Sequence, residues 1–366
     1  MKDKRLRGML SNLSCQLAIP KEVRKTGNQH MQKIFLTLQK YSNYKLSRCR
    51  LLGGVGKKTS ISLKFDYDCV IYVNNVDPPF KELLGEWNGI LNHHLRNISG
   101  IIKVTNYSVQ FEVDGFKFDI LPASNYTGSI NKTESQANII YKKISQEKMD
   151  SKKKDIAYLY SSGLSELALK FMKKQSGFIH DLCRLAKFWN CTIVFDQYVS
   201  GRSSIIEYLA VKAGQDEEES TINRKRSILS AFRRFLSYLA DYNQINIIFT
   251  DVYDESLIMK CEKPYLIDPT NPYNNFLDRV PHDFLPTLAK CSNETLNRLY
   301  KCGNNGLIEY EKLFDPQPNL RNSFKDNSDI TSINTMISTI EINEKIIETI
   351  QKFINRSFYG EENQSK

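Results

Sequence analysis

The sequence lacks the marks of a secreted, a membrane-spanning or a zinc-ribbon protein. Its eight cysteines form no CxxC pair, which argues against a zinc ribbon and against a dense disulfide framework. Residues 1–7 are rich in charge and no apolar segment follows them, so a secretory signal is not predicted. No run of 18 apolar residues is present either. We therefore predict a cytoplasmic protein with reduced thiols and without bound zinc.

Acidic residues are fewer than basic ones. The chain has 51 Lys and Arg against 41 Asp and Glu, which leaves a formal net charge of +10. Such an excess favours polyanionic partners, although it also serves solubility alone. Hydrophobic residues make up 41% of the 366 residues, which is enough to bury a core in about two domains. Composition therefore predicts a globular protein but no activity.

The first third of the chain changes from a helical to a strand pattern. Residues 1–45 mix basic residues with apolar ones at helical spacing, which predicts one or two helices. A Gly-rich turn follows at 53–56, and from 61 to 73 apolar residues recur at every second position. We therefore predict a strand at 61–73.

A β-hairpin is predicted at 108–121, because Asp114-Gly115 is a strong turn signal between two alternating segments. A two-residue turn also fixes the register of the two strands. Four pairs face one another in this register: Val113 with Phe116, Glu112 with Lys117, Phe111 with Phe118, and Gln110 with Asp119. Apolar residues then share one face and polar residues the other, so the register is consistent.

After about residue 160 the pattern is mainly helical. Apolar residues recur at helical spacing at Phe178, Leu182, Leu185 and Trp189, and again at Ile228, Phe232, Phe235 and Leu239. The acidic stretch 215–220 predicts a break, and 315–332 is poor in apolar residues. We predict an α+β protein of four parts: N-terminal helices with a sheet lobe (1–160), a helical lobe (161–315), a linker (316–332) and a helical tail (333–366).

Three aspartates are the strongest candidates for a catalytic site. Asp66 and Asp68 are two residues apart on the predicted strand, so they project from the same face. Asp119 lies on the polar face of the hairpin. Three close carboxylates repel one another unless divalent cations lie between them, and Mg²⁺ is the obvious occupant. This set suits a Mg²⁺-dependent transfer of a phosphoryl or nucleotidyl group, with Mn²⁺ as a possible substitute.

The Gly-rich turn adds to this interpretation. Unhindered backbone N–H groups at Gly53 and Gly54 can contact a triphosphate. Either motif alone has an ordinary structural explanation, since a DxD on a strand is often only a solvated face. Their order is more specific: the DxD begins 13 residues after Gly53, and a single Asp follows on a later hairpin. This order resembles that of the polymerase-beta-like nucleotidyltransferases.

The resemblance extends along the chain from about 50 to 280. Residues 51–59 (LLGGVGKKT), 65–73 (FDYDCVIYV) and 118–123 (FDILPA) are similar to the active-site segments of 2′-5′-oligoadenylate synthases. Residues 182–189 (LCRLAKFW) and 264–272 (PYLIDPTNP) resemble two further segments of the same enzymes, in the same order. Cyclic GMP-AMP synthase and the cGAS-like receptors share much of this pattern. The resemblance implies two lobes around a central cleft, with Asp66, Asp68 and Asp119 as metal-binding catalytic residues.

The resemblance also implies a set of nucleotide contacts. Arg184 and Lys187 match positions that contact nucleotide phosphates in oligoadenylate synthases, and they share the polar face of a predicted helix. The serine that normally follows the two glycines is absent, so Thr59 and Ser60 are expected to supply its hydroxyl. The base-stacking tyrosine of the family falls near Ser203 and Ser204. No aromatic residue is present there, so Ser203 and Ser204 are the nucleotide-binding candidates and the family's base preference does not carry over.

Double-stranded RNA is the activator that the resemblance implies. Cyclic GMP-AMP synthase has a zinc-binding insertion that supports DNA binding, and this chain has no His followed by adjacent cysteines. Oligoadenylate synthases and several cGAS-like receptors instead bind double-stranded RNA along a basic surface, where Lys57, Lys173 and Lys174 match. The implied product is a 2′-5′-linked second messenger made from ATP and GTP in antiviral signalling, of the cyclic GMP-AMP type. A linear 2′-5′-oligoadenylate, a terminal nucleotidyltransferase activity and an inert RNA-binding protein stay as alternatives.

Overall fold

The computed structural model describes residues 2–127, 135–149, 158–193, 195, 199, 201–220, 226–258, 261–305 and 313–314. Its strands are β1 (Leu46–Leu51), β2 (Tyr67–Asn74), β3 (Ile98–Val104), β4 (Val109–Val113), β5 (Phe116–Asn125), β6 (Asn246–Ile247), β7 (Tyr265–Asp268) and β8 (Asn271–Asn275). Its helices are α1 (Lys2–Gln16), α2 (Lys21–Tyr41), α3 (Gly53–Lys57), α4 (Lys81–His94), α5 (Gln136–Met149), α6 (Ser165–Lys174), α7 (Gly177–Cys191), α8 (Arg202–Ser220), α9 (Ile228–Ala240) and α10 (Phe284–Asn305). The α+β class predicted from the sequence is confirmed.

A five-stranded mixed sheet carries the N-terminal lobe. Its strand order is β1-β2-β5-β4-β3, in which β2 and β5 run parallel and the other neighbours run antiparallel. The hairpin β4–β5 has the predicted register, and Asp114 and Gly115 both have positive φ, as a tight two-residue turn requires. Helices α2 and α4 pack on the sheet, where Trp87 and Phe118 are fully buried.

The predicted strand at 61–73 is wrong in its first half, because β2 begins only at Tyr67. Ile61 makes isolated bridges to Ala18 and Lys64 and is buried in the core that α1 shares with the helical lobe. The period-two pattern is therefore real, but its two halves face two different cores. A strand cannot continue through the point where the chain passes from one core to the other.

A second core lies between α1 and the helices from α6 onward. Leu182 and Trp189 of α7 are fully buried in it, and the indole Nε1 of Trp189 donates to Thr295 Oγ1 of α10 at 2.9 Å. Residues 228–239 form the predicted helix α9, whose apolar face is buried in the same core. Helix α1 therefore packs with the helical lobe and not with the sheet.

The break predicted at 215–220 is also wrong, because α8 continues to Ser220. One of its acidic residues, Glu217, is buried and accepts a hydrogen bond from the backbone N–H of Ser227 at 3.1 Å, just before α9. An acidic residue therefore ties α8 to α9 where we expected a solvated loop. The predicted linker (316–332) and helical tail (333–366) lie outside the described residues.

Within the described part of the chain, no helix is both long enough and apolar enough to cross a membrane. The cysteines at 15, 49, 69, 183, 191 and 291 are free thiols.

Candidate active site

Two of the predicted carboxylates lie side by side on the central strands of the sheet. Asp68 on β2 is the direct register partner of Asp119 on β5. Residues in register on neighbouring parallel strands project from the same face, so both side chains point to one side of the sheet. Asp66 precedes the first residue of β2 and is exposed. The sheet therefore fixes the positions of Asp68 and Asp119, while Asp66 lies in the segment that leads into β2.

The charges of the three aspartates act on one another. Burial, and then the neighbouring charges of Asp66 and Asp119, raise the pKa of Asp68 to about 7, although Lys57 and Lys187 partly oppose them. Burial also raises the pKa of Asp119, while the neighbouring side chains of Ser108 and Gln110 act to lower it. Negative charge is therefore concentrated here beyond what the local lysines neutralise. A divalent cation would relieve this repulsion.

The oxygen atoms present fit a magnesium ion. Asp119 Oδ2 accepts a hydrogen bond from Gln110 Nε2 at 3.0 Å, whereas Asp119 Oδ1 is buried and has no hydrogen-bond partner. Among the described residues, no three His, Cys, Asp or Glu side chains are arranged as a complete metal site. Mg²⁺ usually takes one or two carboxylates and completes its coordination with water and substrate phosphates. The pair Asp68–Asp119, with the exposed Asp66 beside it, suits that mode of binding.

The Gly-rich turn is a short helix, α3, that packs directly against the carboxylates. Its position is set by a hydrogen bond from the backbone N–H of Leu52 to the backbone oxygen of Asp68, at 2.7 Å. Gly53 has a φ of +49°, and a Cβ placed there would lie 1.6 Å from Asp68 Oδ2. Only glycine permits this approach of the backbone to the carboxylate.

We expect Gly53→Ala to lower nucleotide turnover at least tenfold, because the methyl group must displace either Asp68 or the start of α3. The positive φ alone costs about 1 kcal/mol for a residue with a Cβ. Gly100→Ala is the matched control, since Gly100 has a φ of +73° and open space around it. If the two variants lost the same activity, backbone strain and not the contact with Asp68 would explain the result.

The second glycine of the turn brings in two further predicted residues. A Cβ on Gly54 would lie 2.3 Å from Ser60 Oγ and 3.2 Å from Lys187 Nζ. The backbone N–H of Ser60 also donates to the backbone oxygen of Gly54, at 3.1 Å. The structure therefore brings together Gly53, Gly54, Ser60 and Lys187. The other nucleotide contacts expected from the sequence do not join this group.

A buried cluster of charges joins α3 to the helical lobe. Glu207 of α8 is only 2% exposed, and its carboxylate accepts from Lys57 Nζ at 2.7 Å and from Lys187 Nζ at 2.6 Å. The hydroxyl of Thr59 donates to the same carboxylate. Burial by itself raises the pKa of Glu207, but the charges and hydrogen bonds of Lys187 and Lys57 outweigh it and hold this pKa at about 2. The Lys57 pKa is raised in turn by Glu207, against the effect of burial.

The cluster includes three residues that were expected from the sequence to contact a ligand. Lys187 is buried, although it lies on the polar face of the helix predicted from the sequence. The ammonium group of Lys57 is paired inside the protein, so it is not placed on an open surface for RNA. Thr59 is fully buried, and its hydroxyl is already engaged by Glu207 and Lys187. Glu207 holds Lys57, Thr59 and Lys187 together, and no role was predicted for it from the sequence.

The other candidate residues lie outside this cluster of charges. Arg184 donates to the backbone oxygens of Ser14 at 3.1 Å and of Lys58 at 2.8 Å, and it is ion-paired with Asp181. Its guanidinium group therefore ties α7 to α1 and to the loop after α3. Ser203 is exposed and Ser204 half-buried in the first turn of α8, while Lys173 and Lys174 are exposed in the last turn of α6.

Known proteins resemble this chain in both sequence and fold. The family model for the C-terminal domain 2 of 2′-5′-oligoadenylate synthetase 1 matches residues 134–306. Mouse 2′-5′-oligoadenylate synthase 1A is 24% identical over 255 residues, which cover 61% of this chain and 67% of the mouse protein.

Two solved structures share the fold. E. coli MS115-1 CdnC, solved with ATP, superposes with a TM-score of 0.59 at 17% identity and covers 84% of this chain and 97% of its own. The Cid1 poly(U) polymerase with Mg and 3′-dATP has a TM-score of 0.56 at 11% identity, over 86% and 99% of the two chains. The described chain therefore has the fold of the polymerase-beta-like nucleotidyltransferases, and its sequence is similar to that of the 2′-5′-oligoadenylate synthases.

Proposed function

We propose that the protein is activated by double-stranded RNA and joins ATP and GTP into a 2′-5′-linked cyclic dinucleotide, a second messenger of antiviral signalling. The observation that carries the proposal is the register pair Asp68–Asp119 with Gly53 packed against Asp68, in a chain similar in sequence to these synthases. Asp66, Asp68 and Asp119 would hold Mg²⁺, which when bound supplies charge neutralisation for the attacking hydroxyl and the leaving pyrophosphate.

The remaining residues would position the nucleotide. The backbone of α3 offers N–H groups beside the carboxylates, where a triphosphate would lie. Lys187 Nζ and Ser60 Oγ flank Gly54, so they are the side chains best placed to reach the phosphates. Lys187 is already paired with Glu207, and its contribution would therefore be a fixed positive charge that needs little reorganisation when substrate binds.

A linear 2′-5′-oligoadenylate is the second candidate product, since the mouse relative is named as an oligoadenylate synthase. The two products differ at their ends. A linear product keeps a 5′-triphosphate that phosphatase removes, whereas a cyclic dinucleotide has no terminal phosphate. Labelled ATP and GTP, followed by phosphatase and a nuclease specific for 3′-5′ bonds, would separate them by chromatography. A product lost entirely to that nuclease would contradict both 2′-5′ candidates.

The proposed RNA surface includes Lys173 and Lys174, which are exposed at the end of α6. Lys57 is left out because its ammonium group is paired with Glu207 inside the protein. We expect replacement of Lys173 and Lys174 together by Glu to weaken RNA binding for every sequence alike and to silence RNA-stimulated synthesis. The slope of log K against log salt should flatten by roughly 0.9 for each lost phosphate contact with duplex RNA. Basal activity with Mn²⁺ should persist.

Lys103→Glu is a suitable control, because Lys103 is an exposed lysine of β3 in the sheet lobe. It should leave the salt dependence and the stimulated rate close to those of the wild type. If the double variant responded to RNA as the wild type does, across salt concentrations, the activating surface would lie elsewhere. If RNA did not stimulate the wild type, the proposed activator would be wrong.

A further inference from the structure

Gln110 stands directly beside one carboxylate of the proposed metal site. It is the register partner of Asp119 on β4, and its amide Nε2 donates to Asp119 Oδ2 at 3.0 Å. Gln110 lies on the half-buried face of β4, between the buried residues Val109 and Phe111. The tight turn at Asp114-Gly115 fixes this pairing, so the amide is held in place by the hairpin itself.

The hydrogen bond makes the two carboxylate oxygens of Asp119 different. With Oδ2 occupied by Gln110, the buried Oδ1 has no hydrogen-bond partner. An unpartnered, buried carboxylate oxygen is costly unless a cation binds it. A neutral amide also suits this place better than an ammonium group, because it orients the carboxylate without neutralising the charge that attracts the metal.

We propose that Gln110 is a positioning residue for the proposed reaction: it fixes the carboxylate of Asp119 so that Oδ1 is presented to a divalent cation. This inference rests on the proposed function, since it assumes a metal-dependent transfer at Asp119. Gln110 itself touches neither metal nor substrate. Outer partners of metal-binding carboxylates usually contribute 10–100-fold to metal affinity or activity.

The test replaces Gln110 by Met, which has a similar length but no donor, and by Glu, which has the same shape and an acceptor in place of the donor. Mn²⁺ binding is measured in the full chain by electron paramagnetic resonance with an ATP analogue that cannot be cleaved between its α and β phosphates, and kcat and KM are measured separately. We expect Gln110→Met to weaken Mn²⁺ binding about tenfold. Its kcat should fall by a similar factor while the KM for ATP changes little, and raised Mn²⁺ should restore turnover. Gln110→Glu should lose at least as much.

Two controls make the outcomes distinct. Glu112→Gln changes the next polar residue of β4, which pairs with Lys117, and should leave Mn²⁺ binding unchanged. Asp119→Asn should not be restored by raised Mn²⁺. If wild-type protein bound Mn²⁺ and turned over, but both Gln110 variants matched it, the positioning role would be refuted and the proposed function would stand. If the wild type neither bound Mn²⁺ nor made product, the proposed function would fail and the inference with it.

Discussion

Asp68→Asn is expected to abolish nucleotide synthesis while leaving the fold intact, and Asp66→Asn and Asp119→Asn should do the same. Each change removes one ligand of the proposed metal site and the transition-state stabilisation that depends on it. Such losses amount to several kcal/mol, or about 10³-fold in turnover. Pyrophosphate release from ATP and GTP, in the presence of Mg²⁺ and double-stranded RNA, measures the effect.

Folding and RNA binding provide the controls for this result. Asp68 lies beside two like charges, so the uncharged Asp68→Asn variant should melt at no lower temperature than the wild type. Asp114→Asn in the hairpin turn is a matched change of an exposed aspartate and should keep full activity. Turnover close to the wild-type rate in Asp68→Asn would remove the carboxylates from the mechanism.

Glu207→Gln is expected to destabilise the protein by about 3–5 kcal/mol, the usual effect of removing one partner of a buried ion pair. The variant leaves the ammonium groups of Lys57 and Lys187 inside the protein without their carboxylate. Denaturant unfolding at neutral pH measures the loss. Glu219→Gln, an exposed position in the same helix, should leave stability unchanged. A Glu207→Gln variant as stable as the wild type would mean that the cluster contributes nothing to folding.

The same cluster predicts a dependence on pH. The pKa of Glu207 is depressed to about 2 in the folded protein, below its usual value of 4.5. Its contribution is therefore fully present above pH 4.5 and is lost as the pH falls toward 2. The difference in unfolding free energy between the wild type and Glu207→Gln should shrink over that window.

The parts of the fold that local chemistry determines were accessible from the sequence. The hairpin register follows from Asp114-Gly115 and from the alternation of its strands, and the structure confirms it pair by pair. The pairing of Asp68 with Asp119 could not be predicted from local patterns, because it joins parallel strands at positions 51 residues apart. Only the family resemblance implied it. Helix α4 was overlooked, although Leu84, Trp87 and Leu91 have helical spacing.

The buried ion cluster could not be predicted from residue type. Lys57, Lys187 and Glu207 come from three separate segments, and charged side chains are solvated by default. From the sequence we therefore expected Lys57 at an RNA-binding surface and Lys187 at the nucleotide phosphates, and neither expectation included a buried ion pair. Thr59 was likewise expected at the triphosphate, but its hydroxyl is used inside the protein. Tertiary contacts, and not local patterns, decide which cations stay free to bind a ligand.

The most direct test of the central claim is synthesis by the purified full chain. The protein is incubated with labelled ATP and GTP and Mg²⁺, with and without double-stranded RNA, and the products are digested with a nuclease specific for 3′-5′ bonds before chromatography. We predict a short product that forms when RNA is present, keeps at least one bond that the nuclease does not cleave, and is absent with Asp68→Asn. Nucleotides added to the 3′ end of the RNA, or no turnover by folded protein under any of these conditions, would contradict the account.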